Sequence, residues 1–131
     1  MKPEELKYLE SHEWAYFSEE NGAKVATVGI SAFAVEQLND IVHMELPSVG
    51  DSVTAGEEFG EVESVKAVSS MYSPVSGEII AVHEDLPNNL EILSDDPYVK
   101  GWIMKVAVSG DDGADNLMDF ETYKKQCDEA Q

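Results

Sequence analysis

The chain has 131 residues, enough for one domain with its own core and too few for two. Its 8 Lys and Arg stand against 27 Asp and Glu, a net charge of −19, which argues against nucleic acid or an anionic membrane as a partner because phosphates would be repelled. An apolar share of 43% fits a packed protein rather than an acidic tail, no run approaches the ~18 apolar residues of a membrane span, and the single cysteine, Cys127, excludes an internal disulfide. Together these point to a soluble protein of a reducing compartment that meets proteins or small molecules.

In chain order, the turn pair Asn21-Gly22 precedes a β-branched segment over residues 24–30, which predicts a strand. Ser31 can cap a short helix near 31–38 that buries Ala34, Val35 and Leu38. Residues 41–46 alternate, with Val42, Met44 and Leu46 on one face and Ile41, His43 and Glu45 on the other, until Pro47 stops the strand. Glycine turns at Gly50, Gly56 and Gly77 separate strand-length segments over 59–65, 67–72 and 78–83. Residues 86–100 hold Pro87, Asn88, Asn89 and Pro97 and read as an irregular connection. A last strand is expected over 102–108, with Trp102, Met104, Val106 and Val108 on one face. Leu117, Phe120, Tyr123 and Cys127 follow a helical period and predict a C-terminal helix near 115–126. So many short strands predict a mainly β domain, a small barrel or sandwich.

The usual enzyme signatures are absent: there is no P-loop, no GxGxxG and no GxSxG. His12, His43 and His83 lack metal-ligand spacing, and no metal site is expected. His43 and His83 read as surface residues, and Cys127 as a packing residue. The informative segment is Glu61-Val62-Glu63-Ser64-Val65-Lys66-Ala67-Val68. Lysine is scarce here, yet Lys66 stands between small apolar residues where two strands should meet. Gly50 and Gly77 flank it in a weak internal repeat, each a glycine turn feeding a strand. By itself this describes a solvated hairpin lysine. The other reading is a modification target: an exposed amine with no adjacent carboxylate to cage it, and with Glu61 and Glu63 close enough for a modifying enzyme to read.

Glu63-Ser64-Val65-Lys66-Ala67 resembles the lipoylation motif of the glycine cleavage system H-protein family. His12-Glu13-Trp14, Glu45-Leu46-Pro47-Ser48-Val49-Gly50-Asp51, Tyr72-Ser73-Pro74-Val75-Ser76-Gly77-Glu78, Asp96-Pro97-Tyr98 and Gly101-Trp102 are similar in order and spacing, so the resemblance spans roughly residues 7–125. It departs at Phe33, Asn39 and Ser70, where relatives often carry other residues.

The resemblance implies a barrel-sandwich hybrid of the lipoyl-domain type, one domain over residues 1–131. Its Lys66 would hold lipoate in amide linkage; Glu63, Glu61, Gly50 and Gly77 would be read during lipoylation by a lipoate ligase or lipoyltransferase; Glu13 would receive the arm. It further implies a non-catalytic carrier that takes an aminomethyl group from glycine decarboxylase (P-protein) to aminomethyltransferase (T-protein) and electrons to dihydrolipoamide dehydrogenase (L-protein). A monomer in the bacterial cytoplasm is expected, with a mature mitochondrial-matrix form as the alternative. Competing readings are a lipoyl domain of a 2-oxoacid dehydrogenase complex, a lipoyl donor or relay protein, and an unmodified interaction module.

Overall fold

The structure is a computed structural model that describes residues 6–9, 11–20, 22–38, 41–96, 98, 100–108 and 117–129. Strands β1 (Lys7–Tyr8), β2 (Glu13–Glu20) and β3 (Ala23–Ile30) lead to helix α1 (Ala32–Leu38). Then come β4 (Ile41–Glu45), β5 (Ser52–Val53), β6 (Glu58–Ser64), β7 (Val68–Tyr72) and β8 (Gly77–Val82). A 3-10 turn (Leu86–Asn88), α2 (Glu91–Asp95), β9 (Met104–Val108) and α3 (Phe120–Glu129) complete the described chain.

All pairings are antiparallel. One sheet runs in the order β1-β2-β3-β9-β8-β5, the other in the order β4-β6-β7. The inward side chains of both sheets meet in a common core that includes Val28, Met44, Val62, Met71, Ile79 and Val106. This is the barrel-sandwich the resemblance implies. A second cluster lies under α3, where Leu6, Tyr8, Trp14, Tyr123 and Cys127 are buried together. β2 separates the two clusters: Trp14 points into the second and Ala15 into the first. Trp14 fits because its partner across the ladder is Gly29, where an added Cβ would stand 2.5 Å from the indole ring.

The Ser31 cap forms as its position predicts: the Ala34 N–H donates to Ser31 Oγ at 3.2 Å, and Val35 is buried beneath the helix. Other expectations need correction. In β4 the face assignment of Val42 fails, because a register shift between Ile41 and His43 resets the alternation. Val42 is 54% exposed, while Ile41 packs on the core and Met44 stays buried. Residues 86–100 are not irregular throughout. Leu86 and Leu93 are fully buried, each worth roughly 2 kcal/mol, which orders the 3-10 turn and α2 around them. The last strand begins at Met104, and Ile103 rather than Trp102 fills the core. Trp102 instead stacks on His83 at 4.9 Å, so His83 is half-buried rather than a surface residue. α3 begins at Phe120 because Asp119 caps it, accepting the Thr122 N–H at 2.9 Å. Tyr123 and Cys127 are buried as the periodicity expects. Asn21, Asn39, Asp40, Pro97 and residues 115–116 of the expected helix lie outside the described residues.

Gly77 shows how tightly β8 and β9 approach. An added Cβ there would overlap the Ala107 carbonyl oxygen and stand 2.8 Å from Val106 Cγ1. Gly77→Ala is expected to destabilise the protein by about 2 kcal/mol through overpacking, read as a lowered midpoint in urea with an unchanged slope.

Candidate functional site

β6 and β7 join through the four-residue turn Ser64-Val65-Lys66-Ala67. The Ser64 N–H donates to Ala67 O at 2.8 Å, and the Ala67 N–H donates back to Ser64 Oγ at 3.1 Å. Ser64 is buried and anchors the turn, so Lys66 at its third position is held outward and exposed. Val65 and Val68 beside it are 71% and 58% exposed. No described carboxylate lies within ion-pair distance of Lys66. The turn therefore presents an unpaired primary amine on a short rigid hairpin, in an apolar collar.

Glu61 and Glu63 lie on β6, two residues apart, with the intervening Val62 buried. Their strand partners are Glu45 and His43 on β4, and Ser70 and Val68 on β7. Glu45 and Glu61 oppose each other directly, a like-charge pair that would weaken the sheet but for its exposure to solvent. Gly50 and Gly77 are not at the lysine. They belong to the β5–β8 region of the other sheet, where the Gly50 N–H donates to Ile79 O at 2.8 Å. Gly50 holds φ at 96° in a turn, a conformation that favours glycine. Their geometry accounts for both as shapers of backbone.

Glu13 is only 2% exposed. It opens β2 in the larger sheet, but its side chain reaches the edge strand of the smaller one. The Tyr72 N–H donates to Glu13 Oε2 at 3.0 Å, and the Ser11 hydroxyl donates to Oε1 at 2.5 Å. Burial pushes the Glu13 carboxyl up to about 7, against the opposing pull of these hydrogen bonds. Beside it lies a cavity of about 140 Å³, lined by Ser11, Glu13, Gln37, Leu38, Ser69 and Ser70 among others. Ser70 is four residues from Lys66 along the hairpin, about 13 Å at the rise of a strand. A flexible group on the Lys66 amine could thus fold back along β7 into a half-enclosed cleft ending in a carboxyl. Ser11, the Tyr72 N–H and the α1 wall escaped the sequence reading. They are 20 to 60 residues from one another, and only the packing of the two sheets brings them together.

A glycine cleavage H-protein family profile matches residues 6–130. A glycine cleavage system H protein of Rhodopirellula baltica is 62% identical over 128 residues, covering 98% of this chain and 96% of the relative. One from Gloeothece citriformis is 46% identical over 127 residues, covering 96% and 94%. The crystal structure of a glycine cleavage system H protein from Mycobacterium marinum superposes with a TM-score of 0.81 at 35% identity, covering 95% of this chain and 98% of that one. With the fold matched and the Lys66 hairpin in place, the chain belongs to the glycine cleavage H-protein family, the lipoyl carriers of the glycine cleavage system.

Proposed function

We propose that Lys66 carries lipoate in amide linkage and that the whole chain works as one non-catalytic carrier domain. When bound, the group supplies a disulfide that accepts an aminomethyl unit derived from glycine and afterwards yields a dithiol holding an electron pair. The observation that carries the reading is the exposed, unpaired Lys66 amine on a locked hairpin, on a chain of this family. The residues fit the group: the turn holds the amine outward for acylation, and the lining of the nearby cleft joins apolar side chains with the Glu13 carboxyl. Tethering then replaces diffusion, since the carried group visits successive sites at a high effective concentration. The partners in this reading are glycine decarboxylase, aminomethyltransferase and dihydrolipoamide dehydrogenase, which meet an acidic surface and dock transiently. The relatives compared include bacteria, and the reading places the carrier in the cytoplasm.

The test sets glycine decarboxylase against a 2-oxoacid dehydrogenase as the loading enzyme. The lipoylated chain is expected to support carbon dioxide exchange into glycine and to be a poor acceptor of acyl groups. Acylation by the dehydrogenase without glycine exchange would overturn the assignment in favour of a 2-oxoacid dehydrogenase lipoyl domain.

Recognition by the lipoylating enzyme is proposed to use the outward carboxylates of β6. Glu63 stands one residue before the locked turn, opposite His43 and Val68. Glu63 is half-buried and makes no ion pair among the described residues, so Glu63→Ala is expected to slow lipoylation about tenfold while changing stability by less than about 1 kcal/mol. Timed intact-mass measurements and a melting curve check both halves.

A further inference from the structure

One phenol outside the cleft bonds to His12 in its lining and to Ser31, the cap of α1. His12, between Ser11 and Glu13, holds φ at 83°, a left-handed conformation that L side chains rarely adopt. Its ring packs against Phe33 at 4.8 Å and edge-on against Tyr123 at 5.6 Å. His12 Nδ1 and the Tyr123 hydroxyl share a hydrogen bond of 2.7 Å, and the same hydroxyl shares one of 2.5 Å with Ser31 Oγ. Ser31 caps α1, whose Ala34, Gln37 and Leu38 form one wall of the cleft; Ser11, His12 and Glu13 form another. The phenol's own place is fixed from elsewhere. Its ring stacks parallel on Tyr8 at 4.2 Å, and Tyr8 exchanges two backbone hydrogen bonds of 2.8 Å with Met118, just ahead of α3.

We infer that Tyr123 is a positioning residue for Glu13: beside the Ser31 N–H bond of 2.9 Å to His12 O that joins the 11–13 turn to the start of α1, its hydroxyl adds the side-chain tie that holds the His12 ring and so steadies the carboxyl in the cleft. Without that hydroxyl, nothing polar among the described residues holds the His12 ring. The backbone bonds of the turn remain, but the ring is free to swing away from α1, and water reaches the Ser11–Glu13 pair through the space it leaves. The carboxyl, raised by burial, moves back toward its ordinary value. The groups facing Glu13 are the Ser11 hydroxyl, the Tyr72 N–H, and His12, Gln37, Ser69 and Ser70 along the cleft. Of these only His12 titrates, and burial lowers its pKa, so its ring is neutral at pH 7. Tyr123 faces Tyr8, Tyr98 and Cys127, and burial raises its own pKa, so the hydroxyl keeps its proton.

The inference reaches function only through the proposed docking of the arm, so its test starts on the full chain without lipoate. The Glu13 carboxyl is titrated by carbon-13 NMR in wild type and Tyr123→Phe, which keeps the stacked ring. Tyr123→Phe is expected to lower the Glu13 pKa by about one unit. His12→Asn, which tolerates the left-handed turn but lacks the imidazole, is expected to shift it the same way and carries the test should Tyr123→Phe not fold. Phe120→Leu, which loosens the packing of α3 on Tyr8 without touching the hydroxyl, should leave the titration in place. Superimposable wild-type and Tyr123→Phe curves would overturn the inference, as would an equal shift in Phe120→Leu. Ammonia release from the glycine-loaded carrier is the second readout. A shifted titration with faster release supports the inference and the docking reading. A shifted titration with unchanged release upholds the positioning role and contradicts arm docking.

Discussion

Lys66→Arg is expected to abolish glycine decarboxylase exchange completely while leaving the fold untouched. The guanidinium keeps the positive charge but cannot be acylated by a lipoate ligase in the way an amine is. The side chain is exposed, and the hydrogen bonds that lock the turn run between Ser64 and Ala67, not through position 66. Melting curves of the variant and the unlipoylated wild type should therefore coincide. Exchange activity is measured after both proteins have been incubated with ligase, lipoate and ATP. Residual exchange in the variant would mean that another group carries the reaction.

The second large effect is a pH dependence of stability that belongs to Glu13. Its carboxyl sits near 7 in the folded protein, against 4.5 for a free side chain, because burial disfavours the charge. The folded state thus binds this proton more tightly than the unfolded state. The stability this contributes is full below pH 4.5 and is lost as pH rises from there through 7, about 3 kcal/mol in all. Glu13→Gln has no proton to lose. Its Oε1 can accept the Tyr72 N–H, and its Nε2 can donate to the Ser11 hydroxyl, so both hydrogen bonds can persist. The stability difference between variant and wild type should shift by about 3 kcal/mol in favour of the variant between pH 4 and pH 8. Urea unfolding across that range gives the comparison, in which other titrating groups cancel. A flat difference would show that Glu13 is solvated. Above about pH 7 the same carboxyl is ionised and can pair with an arriving ammonium. Ammonia release from the glycine-loaded carrier is expected to be roughly tenfold faster in Glu13→Gln at pH 8, and to approach the wild-type rate near pH 6, where Glu13 is protonated.

Strands bounded by clear turn signals were legible because strand-length apolar patterning and turn chemistry agree there. β3, β6, β7 and β8 fall within a residue or two of their predicted bounds. β2 carries no such signal. Its Trp-Ala-Tyr-Phe run is apolar on both faces, because the strand separates the sheet core from the cluster under α3. Val42 misled because a bulge is invisible to alternation, and α2 was hidden by flanking Pro and Asn residues although Leu86 and Leu93 anchor that stretch in the core. Lys66 at a hairpin tip was legible from local sequence alone. The rest of the site was not. Tyr72 meets Glu13 across 59 residues and Tyr123 meets His12 across 111, and no local pattern encodes such contacts.

The proposed function rests on Lys66, held out by the Ser64–Ala67 lock, as the lipoyl-bearing residue. The most direct measurement is the intact mass of the full chain after lipoate ligase treatment, followed by peptide mapping. One lipoyl group is expected to be gained, on the peptide containing Lys66, with no gain in Lys66→Arg. An unchanged mass, or a lipoyl group mapped to any of the other seven lysines, would contradict it.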